Sequence, residues 1–284
     1  MRRRLIRQGG GTLTVSLPKE WVEREGLSAG REVELIPGSR ELSIRLSAGG
    51  ARASSIDVSS LASGVARGTI IARYIRGADE LRITHGEAQL ELVQGIVDNL
   101  IGFAVVEQEA ERCVAKQLTA DADTDCLQLL RRMYRLVLDL GERCAADAAV
   151  RAGGRKPLTS PEVPEEQDAG INRLAYFTLR QLSRKPDGAQ FGHLVHLLEM
   201  LGDEFVHLWG EVLSGTARPE HLKPVLSMAR QCEKLLFTYD GKEAGEVTRA
   251  RDRIRQLSKD YHVRKIAELC VNVLQAQLLL APVP

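Results

Sequence analysis

Aromatic side chains are scarce in this chain: Phe, Trp and Tyr together make up 4% of its 284 residues. Proteins that bind single-stranded nucleic acid without sequence preference stack the bases on aromatic side chains. The composition argues against that class. The formal net charge is only +1, so any contact with nucleic acid must come from a local patch of charge.

Paired cysteines and long apolar runs are also missing. The five cysteines are scattered without a C-x-x-C pair, which predicts reduced, buried thiols in a cytosolic protein. No run of about 18 apolar residues is present, so we expect no membrane insertion. The glycines at positions 9–11 stand where a signal peptide needs its apolar segment. These absences favour a cytoplasmic protein.

No catalytic motif can be identified. The chain has no G-x-S-x-G, no P-loop, no dinucleotide fingerprint and no H-E-x-x-H. We therefore expect that the protein is not an enzyme, and a metalloenzyme built on its helices is the enzymatic alternative. With 44% hydrophobic and 27% charged residues, the chain has the composition of a globular protein and the length of two or three domains.

The first 46 residues predict a hairpin, a short helix and a second hairpin. Residues 12–17 alternate apolar and polar side chains, as a half-buried strand does, and the three preceding glycines permit a tight reversal. A helix follows from Pro18 to Gly26, and strands at 33–36 and 42–46 flank a turn at 37–39. A unit this small rarely buries a core alone. We therefore expect a homodimer.

Basic residues are concentrated at the start of this unit. Residues 1–10 contain four arginines and no acid, and two protomers together offer eight. Such a patch suffices for phosphate contacts along duplex DNA and for a salt-dependent affinity. A solvated segment without a ligand is the alternative. The candidate DNA-binding residues are Arg2, Arg3, Arg4, Arg7 and Lys19.

The rest of the chain predicts a small α/β unit and then helices alone. Residues 47–55 lack apolar periodicity and are interpreted as a linker. Helix, strand, helix and hairpin follow between residues 55 and 118, and the first of these helices is predicted from Ser59 to Tyr74. From residue 123 onward, apolar residues at three-four spacing predict six helices with short connections, which favours a bundle. Their ranges are 124–151, 165–185, 189–213, 219–238, 242–258 and 260–280.

A polar stripe runs along the third of these helices. His196, Glu199, Asp203 and His207 follow one another at steps of 3, 4 and 4, which places them on one face. Carboxylates and imidazoles at such spacing can bind a transition metal, and a water-facing stripe is the alternative. The second and sixth helices add two acid-x-x-x-polar pairs, Asp168 with Asn172 and Glu268 with Asn272.

Two parts of the sequence resemble known families. The segment from Gly9 to Leu27, with its V-S-L-P-K-x-W core, resembles the SpoVT/AbrB swapped-hairpin DNA-binding domain in its archaeal form. The helical segments that begin at Arg131, Ile171 and Arg264 resemble PhoU, the phosphate-uptake regulator, and the middle unit looks like the segment that joins the two domains in archaeal PhoU-like proteins.

The order of the three parts implies an α+β multidomain protein. Its expected domains are a swapped-hairpin β domain for DNA binding and dimerisation at residues 1–46, a small α/β unit at 55–118, and an all-α PhoU-like pair of three-helix bundles at 123–284. The resemblance implies a DNA-binding transcriptional regulator of phosphate uptake with a helical sensor domain. The alternative is an accessory protein that does not bind DNA and regulates a phosphate transporter or sensor kinase by direct contact.

The PhoU resemblance also implies a metal site with an acid-x-x-x-acid motif. Glu199 and Asp203 match this motif intact, Asp168 matches its first acid, and Glu268 matches an acid position. Asn172 stands where an aspartate is usual, so the implied site is a reduced one that would hold a divalent or iron ion. The candidate metal ligands are Asp168, Glu199, Asp203 and Glu268.

Overall fold

The structure, a computed structural model of the chain, describes residues 3–37, 42–46, 52–119, 125–185, 188–217 and 220–280. Two compact units are distinguished by their backbone contacts. The first is Met1–Gly49 and the second is Gly50–Pro284. No helix among the described residues is long and apolar enough to cross a membrane.

The first unit is built from two antiparallel hairpins and one helical turn and a half, as predicted. Strands β1 (Ile6–Gln8) and β2 (Thr12–Thr14) form one hairpin, and β3 (Val33–Pro37) and β4 (Leu42–Leu46) form the other. Helix α1 (Lys19–Arg24) lies between them in sequence. Gly10 and Gly11 take φ values of 62° and 89°, which is the left-handed backbone that the predicted glycine turn requires.

The described residues of the first unit form no core of their own. Among its described side chains none is buried, and the apolar side chains of the short helix, Trp21 and Val22, are only partly covered. Six large hydrophobic side chains are exposed, by 45% at Val15 to 65% at Leu5. A folded unit with this much uncovered apolar surface needs a partner surface. The exposed residues are Leu5, Ile6, Leu13, Val15, Leu35 and Leu42.

The second unit begins with a four-stranded sheet. Its strands are β5 (Ala53–Asp57), β6 (Glu80–Thr84), β7 (Phe103–Gln108) and β8 (Arg112–Gln117), in the order β5-β6-β8-β7. Strand β5 is parallel to β6, and the other pairs are antiparallel. Helices α2 (Ser63–Ile75) and α3 (Leu90–Asp98) supply the apolar side chains that cover the sheet.

The predicted linker at 47–55 is wrong at its end, because β5 starts at residue 53. Within β5 only Ile56 is buried, so the strand has little apolar periodicity. Its partner β6 also lies beyond helix α2 in the sequence. The predicted helix start at Ser59 is also too early. The Asp57 carboxylate accepts hydrogen bonds from the Ser59 amide and hydroxyl at 3.0 and 2.7 Å, and this local turn delays α2 until residue 63.

All six predicted helices are present in the remainder of the second unit. Asp125, Asp240 and Asp260 cap three of them by accepting backbone N–H bonds, and Gly215 ends another with a φ of 83°. The helices are α4 (Cys126–Ala152), α5 (Val163–Ser183), α6 (Ala189–Ser214), α7 (Leu222–Phe237), α8 (Gly241–Leu257) and α9 (Tyr261–Leu278).

The helices pack as two groups of three around one continuous core. Helices α4, α5 and α6 contact one another, α7, α8 and α9 do the same, and the pairs α4–α7 and α6–α9 join the groups. The largest buried side chains of this core include Trp209, Phe205 and Tyr134. The five cysteines are buried, as predicted.

A buried arginine fastens the helices to the α/β layer. Arg180, on α5, is 1% exposed. Its guanidinium donates to the carbonyl oxygens of Tyr74 and Ala78 at 2.6 and 2.7 Å, and to the Asp79 carboxylate at 3.1 Å. It also lies over the rings of Tyr74 and Phe103. Helix α5 is therefore fixed to the layer at its carboxyl end.

Candidate functional site

Exposed arginines lie on and just before the first strand of the first hairpin. Arg7 lies on β1, opposite Leu13 on β2, and Arg3 and Arg4 immediately precede the strand. All three are exposed, and no ion pair involves them within the part of the chain that the structure describes. Arg2 lies outside the described residues. The hairpin therefore presents uncompensated positive charge to solvent.

The charge of the short helix is compensated instead. The Lys19 ammonium lies 3.6 Å from the Glu23 carboxylate, and the Arg24 guanidinium donates to Glu25 at 3.0 Å. Exposed pairs of this kind contribute little stability. They do weaken the positive potential that phosphates would meet there. Among the described candidate DNA contacts, Lys19 is thus the one that pairs with an acid.

Three of the four proposed metal ligands lie together between α5 and α6. Asp168 on α5 faces Glu199 and Asp203 on α6. Asn172, one turn after Asp168, donates its amide N–H to Asp168 Oδ2 at 2.6 Å. Asp168 Oδ1 is buried and has no hydrogen-bond donor among the described groups. These residues form the acidic cluster.

A glycine allows the two helices to approach closely beside the acidic cluster. A Cβ on Gly202 would stand 3.1 Å from Cδ1 of Ile171 on α5, closer than most such contacts. Asp203 follows this glycine directly, and Asp168 lies one turn before Ile171. The acids meet because the backbone contact between the helices is tight at this point.

The acidic cluster holds at least one proton more readily than free carboxylates do. Burial raises the pKa of Asp168 to about 7, with further contributions from Asp203 and Glu199. Burial and Asp203 also raise the pKa of Glu199, while a hydrogen bond from His196 opposes that shift. The Asp168 and Asp203 carboxyls are close enough to share a proton. Carboxylates brought together in this way suit a hard cation that would replace the proton.

Glu268 does not join this cluster. On α9 it accepts from Arg251 of α8 at 3.1 Å and lies 3.7 Å from Arg255. Two guanidinium groups thus occupy the place beside it that a cation would need. The three acids between α5 and α6 are the proposed ligands that lie near one another, and Glu268 stays a prediction.

The polar stripe of α6 is divided between two clusters. Glu199 and Asp203 turn towards α5, whereas His207 lies beside His262 at the start of α9, with 5.9 Å between the ring centroids. His262 Nδ1 is 2.8 Å from Glu204 Oε2. Glu204, His207 and His262 each offer a ligand atom, and these atoms all lie within 4.8 Å of one another. They form the histidine cluster.

Sequence reasoning missed two members of the histidine cluster. Glu204 had a local signal, because Glu204-x-x-His207 places a carboxylate and an imidazole on one face of a helix. His262 had none, since it lies 58 residues away from Glu204 in the chain. Only the packing of α9 on α6 brings it to the other two.

One comparison with known proteins gives a match. Residues 6–45 match the family model described as antidote-toxin recognition MazE, bacterial antitoxin. The matched range spans the hairpin, helix and hairpin of the first unit, in agreement with the swapped-hairpin resemblance of that segment. No curated protein and no solved structure gives a significant match to the chain.

Proposed function

We propose that the protein is a DNA-binding transcriptional regulator whose first unit, as a homodimer, holds duplex DNA. The observation that carries the proposal is the uncompensated charge of Arg3, Arg4 and Arg7 within a unit of the MazE type. Arginines at the exposed edge of a hairpin can reach phosphates on both sides of a groove. DNA binding also implies a cytoplasmic location. The proposal includes no enzymatic activity.

The dimer follows from the uncovered apolar surface of the first unit. Leu35 and Leu42 lie on one face of the β3–β4 hairpin and are 56% and 58% exposed. A second copy of the chain offers the same hairpin and so a complementary apolar face. Dimerisation also doubles the number of arginines that meet the DNA.

The helical region is proposed as the sensor of this regulator. The resemblance of three of its segments to PhoU supports phosphate uptake as the regulated process. The acidic cluster is the proposed place for its divalent or iron ion. Transcript levels of phosphate-transport genes, compared between wild-type and deletion strains with and without phosphate, test this part. Equal levels in the two strains would remove it and leave DNA binding in place.

Helix α5 gives the sensor a physical route to the α/β layer. Asp168, Asn172, Tyr176 and Arg180 follow one another at steps of four along α5, so they share one face. The first two belong to the acidic cluster, Tyr176 packs against the core of the α/β layer, and Arg180 is the anchor described above. A ligand that moves the first turns of α5 therefore acts on a helix whose other end is fixed to the layer.

DNA binding is tested by fluorescence anisotropy with a random-sequence duplex over a range of salt concentrations. We expect affinity to fall with salt, with a log–log slope of about 0.9 per phosphate contact. The double variant Arg3→Ala/Arg7→Ala loses up to two phosphate contacts per protomer. The slope should therefore decrease by up to about 3.6 in a dimer. No binding at low salt, or an unchanged slope in the double variant, would refute the proposal.

Two matched variants sharpen this test. Arg112→Ala removes an exposed arginine from a hairpin strand of the second unit, and we expect it to leave binding unchanged. Lys19→Ala should have a smaller effect than Arg7→Ala, because Glu23 already neutralises much of the Lys19 charge. If Lys19→Ala weakens binding most, the DNA contact lies on α1 rather than on the first hairpin.

The second candidate is an accessory protein that contacts a phosphate transporter or sensor kinase and does not bind DNA. Glu20, Glu23 and Glu25 on and after α1 favour it, because they place negative charge on the segment that follows the basic hairpin. The matched family is itself described by recognition of another protein. Co-purification of such a partner, combined with a failed DNA titration, would favour this candidate over the first.

A further inference from the structure

The histidine cluster has the composition of a transition-metal site and lies apart from the acidic cluster. Glu204 and His207 are one turn apart on α6, and His262 is in the first turn of α9. The side chains of Glu204 and His262 are 16% and 18% exposed, so these two are held in place by packing. His207 is exposed, which leaves a path for an ion from solvent.

His262 is oriented from three sides. Its Nδ1 lies 2.8 Å from Glu204 Oε2, and its Nε2 lies 3.5 Å from Glu211 Oε1. The ring of Tyr261 stands edge-on to it at 5.2 Å. When a metal takes one ring nitrogen of a histidine, the other nitrogen usually donates to a carboxylate, which fixes the ring. Either nitrogen of His262 has such a carboxylate.

The distances are close to those of a formed site. A Zn²⁺ ion holds nitrogen and oxygen ligands at about 2.0–2.2 Å in a tetrahedron, so ligand atoms lie about 3.4 Å apart. The ligand atoms of the cluster lie within 4.8 Å of one another, and the Glu204–His262 pair is closer than this spacing. An ion can thus enter with rotamer changes and a small opening of the α6–α9 contact.

We propose that Glu204, His207 and His262 bind a first-row divalent transition metal such as Zn²⁺, with Glu211 as a further ligand or as the carboxylate that orients His262. Two imidazoles and a carboxylate are the ligands that Zn²⁺, Fe²⁺ and Ni²⁺ prefer, whereas Mg²⁺ and Ca²⁺ prefer oxygen alone. The ion joins the two groups of three helices, because α6 belongs to one and α9 to the other.

The site stands independently of DNA binding by the first unit. It also differs in chemistry from the acidic cluster, which offers carboxylates between α5 and α6. An ion at the histidine cluster stabilises the α6–α9 contact by an amount that grows with its free concentration. Thermal unfolding of the full chain should therefore shift to higher temperature with Zn²⁺, and this shift should be smaller in His207→Ala. Mg²⁺ prefers oxygen ligands, so any shift that it causes should be the same in the wild type and in His207→Ala.

The experiment uses the full chain without a histidine tag, freed of metal with a chelator that is then removed. Competition with a chromophoric chelator measures the affinity for Zn²⁺, and the visible absorption of Co²⁺ reports the geometry of its ligands. We expect one tight equivalent of Zn²⁺ and a tetrahedral or five-coordinate Co²⁺ spectrum. Excess Mg²⁺ should not displace either ion.

Variants then assign the site. Mutating even a residue that only hydrogen-bonds to a metal ligand typically lowers metal affinity by roughly 10–100-fold. We therefore expect His207→Ala and His262→Gln to weaken Zn²⁺ binding by more than roughly 100-fold. Glutamine keeps an N–H that can donate to Glu204, so His262→Gln preserves the helix contact. His193→Ala removes an exposed histidine from the same helix and should have no effect.

Three results would overturn the proposal. The first is that no equivalent of Zn²⁺ binds tightly enough to compete with the chromophoric chelator. The second is unchanged affinity in His207→Ala and His262→Gln when their circular dichroism matches the wild type. The third is loss of Zn²⁺ binding in Asp203→Asn with normal binding in both histidine variants, which would assign the ion to the acidic cluster. A failed DNA titration would leave the proposal untouched.

Discussion

The charged form of the Asp168 side chain destabilises the folded chain. Its carboxyl is partly buried between α5 and α6, and one of its oxygens has no donor within the described part of the chain. Asn172 supplies a hydrogen bond, but Asp203 and Glu199 lie close by and disfavour a second negative charge. The result is a carboxyl whose pKa is raised to about 7. It therefore holds a proton below that pH and is charged above it.

The raised pKa of Asp168 predicts a pH-dependent gain in stability for Asp168→Asn. The folded-state pKa of about 7 lies above the unfolded value of 3.8, so the contribution of this group to stability is full below pH 3.8 and lost as the pH rises through 7. The variant avoids that loss. After discounting for partial solvent exposure, we expect it to be more stable than the wild type by about 1–2 kcal/mol at pH 8, and by much less at pH 5.

Urea unfolding at several pH values, in the presence of a chelator, measures the difference. Asp139→Asn is the matched control, because Asp139 is an exposed acid of α4 that pairs with Arg143 in the same helix. It should change stability by less than about 0.5 kcal/mol at every pH. A gain for Asp168→Asn that did not vary with pH would show that charge is not its cause.

At the scale of the element, α5 is the helix that holds the second unit together. Its amino-terminal turns carry part of the acidic cluster and its carboxyl-terminal turns are anchored in the α/β layer. Besides Arg180, Ser183 contributes by donating its hydroxyl to the Ile75 carbonyl at 2.7 Å. The anchoring groups at the end of α2 and in the loop before β6 are mostly backbone carbonyls, whose positions are fixed by the backbone.

Replacing Arg180 should separate the α/β layer from the helices. Arg180→Met keeps much of the volume but removes the buried donor of two carbonyls, whereas the Asp79 carboxylate keeps its ion pair with Arg184. We expect a loss of about 2–4 kcal/mol in the free energy of unfolding, mainly from the unsatisfied carbonyls, measured by urea unfolding with circular dichroism. Arg180→Lys should recover only part, because one ammonium cannot reach all of these acceptors.

Arg173→Met on the same helix is the control for this prediction. Arg173 is exposed, so its loss should cost less than about 0.5 kcal/mol. Equal effects of the two substitutions would mean that Arg180 contributes only through helix propensity.

Two helix glycines predict opposite outcomes on substitution. A Cβ on Gly141 of α4 would lie 2.5 Å from Leu226 of α7 and 3.0 Å from Phe205 of α6. Gly210 of α6 has open space at the same position. Alanine is better than glycine in a helix by about 1 kcal/mol, so Gly210→Ala should stabilise the protein by up to that amount. Gly141→Ala should destabilise it by about 1 kcal/mol, since overpacking outweighs the propensity gain.

Thermal unfolding of the two glycine variants measures this difference directly. Because the substitution is the same, the difference reports the close approach of α4 to its neighbours. Stabilisation by both variants would mean that Leu226 and Phe205 move aside without cost.

Sequence reasoning predicted the elements whose pattern of apolar residues is visible within one continuous stretch of the chain. The six helices bury whole apolar stripes, so their three-four spacing was sufficient, and the glycine turn before β2 had its own backbone requirement. Strand β5 was missed because one residue of it is buried and its partner β6 lies beyond a helix. For the same reason Glu199 and Asp203 were found as a pair on one helix, whereas the separation of Glu268 from them and the approach of His262 to Glu204 depend on packing between helices.

At the scale of the whole molecule, the two units differ in how they are stabilised. The second unit has a continuous helical core and a covered sheet. Within the described part of the first unit there is no buried side chain. At about 25 cal/mol per Å², a few exposed leucines on each of two hairpins represent several kcal/mol if a partner covers them. We therefore expect the first unit to gain stability by association, whereas the second has a core of its own.

This difference predicts that association of the full chain can be abolished without unfolding the helices. Leu35→Glu with Leu42→Glu places four acids on the two facing hairpins of a dimer, and we expect a change from twice the chain mass to the chain mass in sedimentation equilibrium. Helical circular dichroism should be unchanged, because the core of α4–α9 contains neither residue. Leu257→Glu, which alters an exposed leucine of α8, should leave the dimer intact.

The same variant links association to DNA binding. A monomer presents one set of arginines, so its salt slope should be about half that of the dimer and its affinity correspondingly weaker. A monomeric variant that binds DNA as tightly as the dimer would show that one hairpin is sufficient. A dimeric variant with intact mass and lost affinity would instead place Leu35 and Leu42 against the DNA. Measured together, mass and salt slope distinguish these arrangements, because the number of phosphate contacts follows the number of hairpins that reach the duplex.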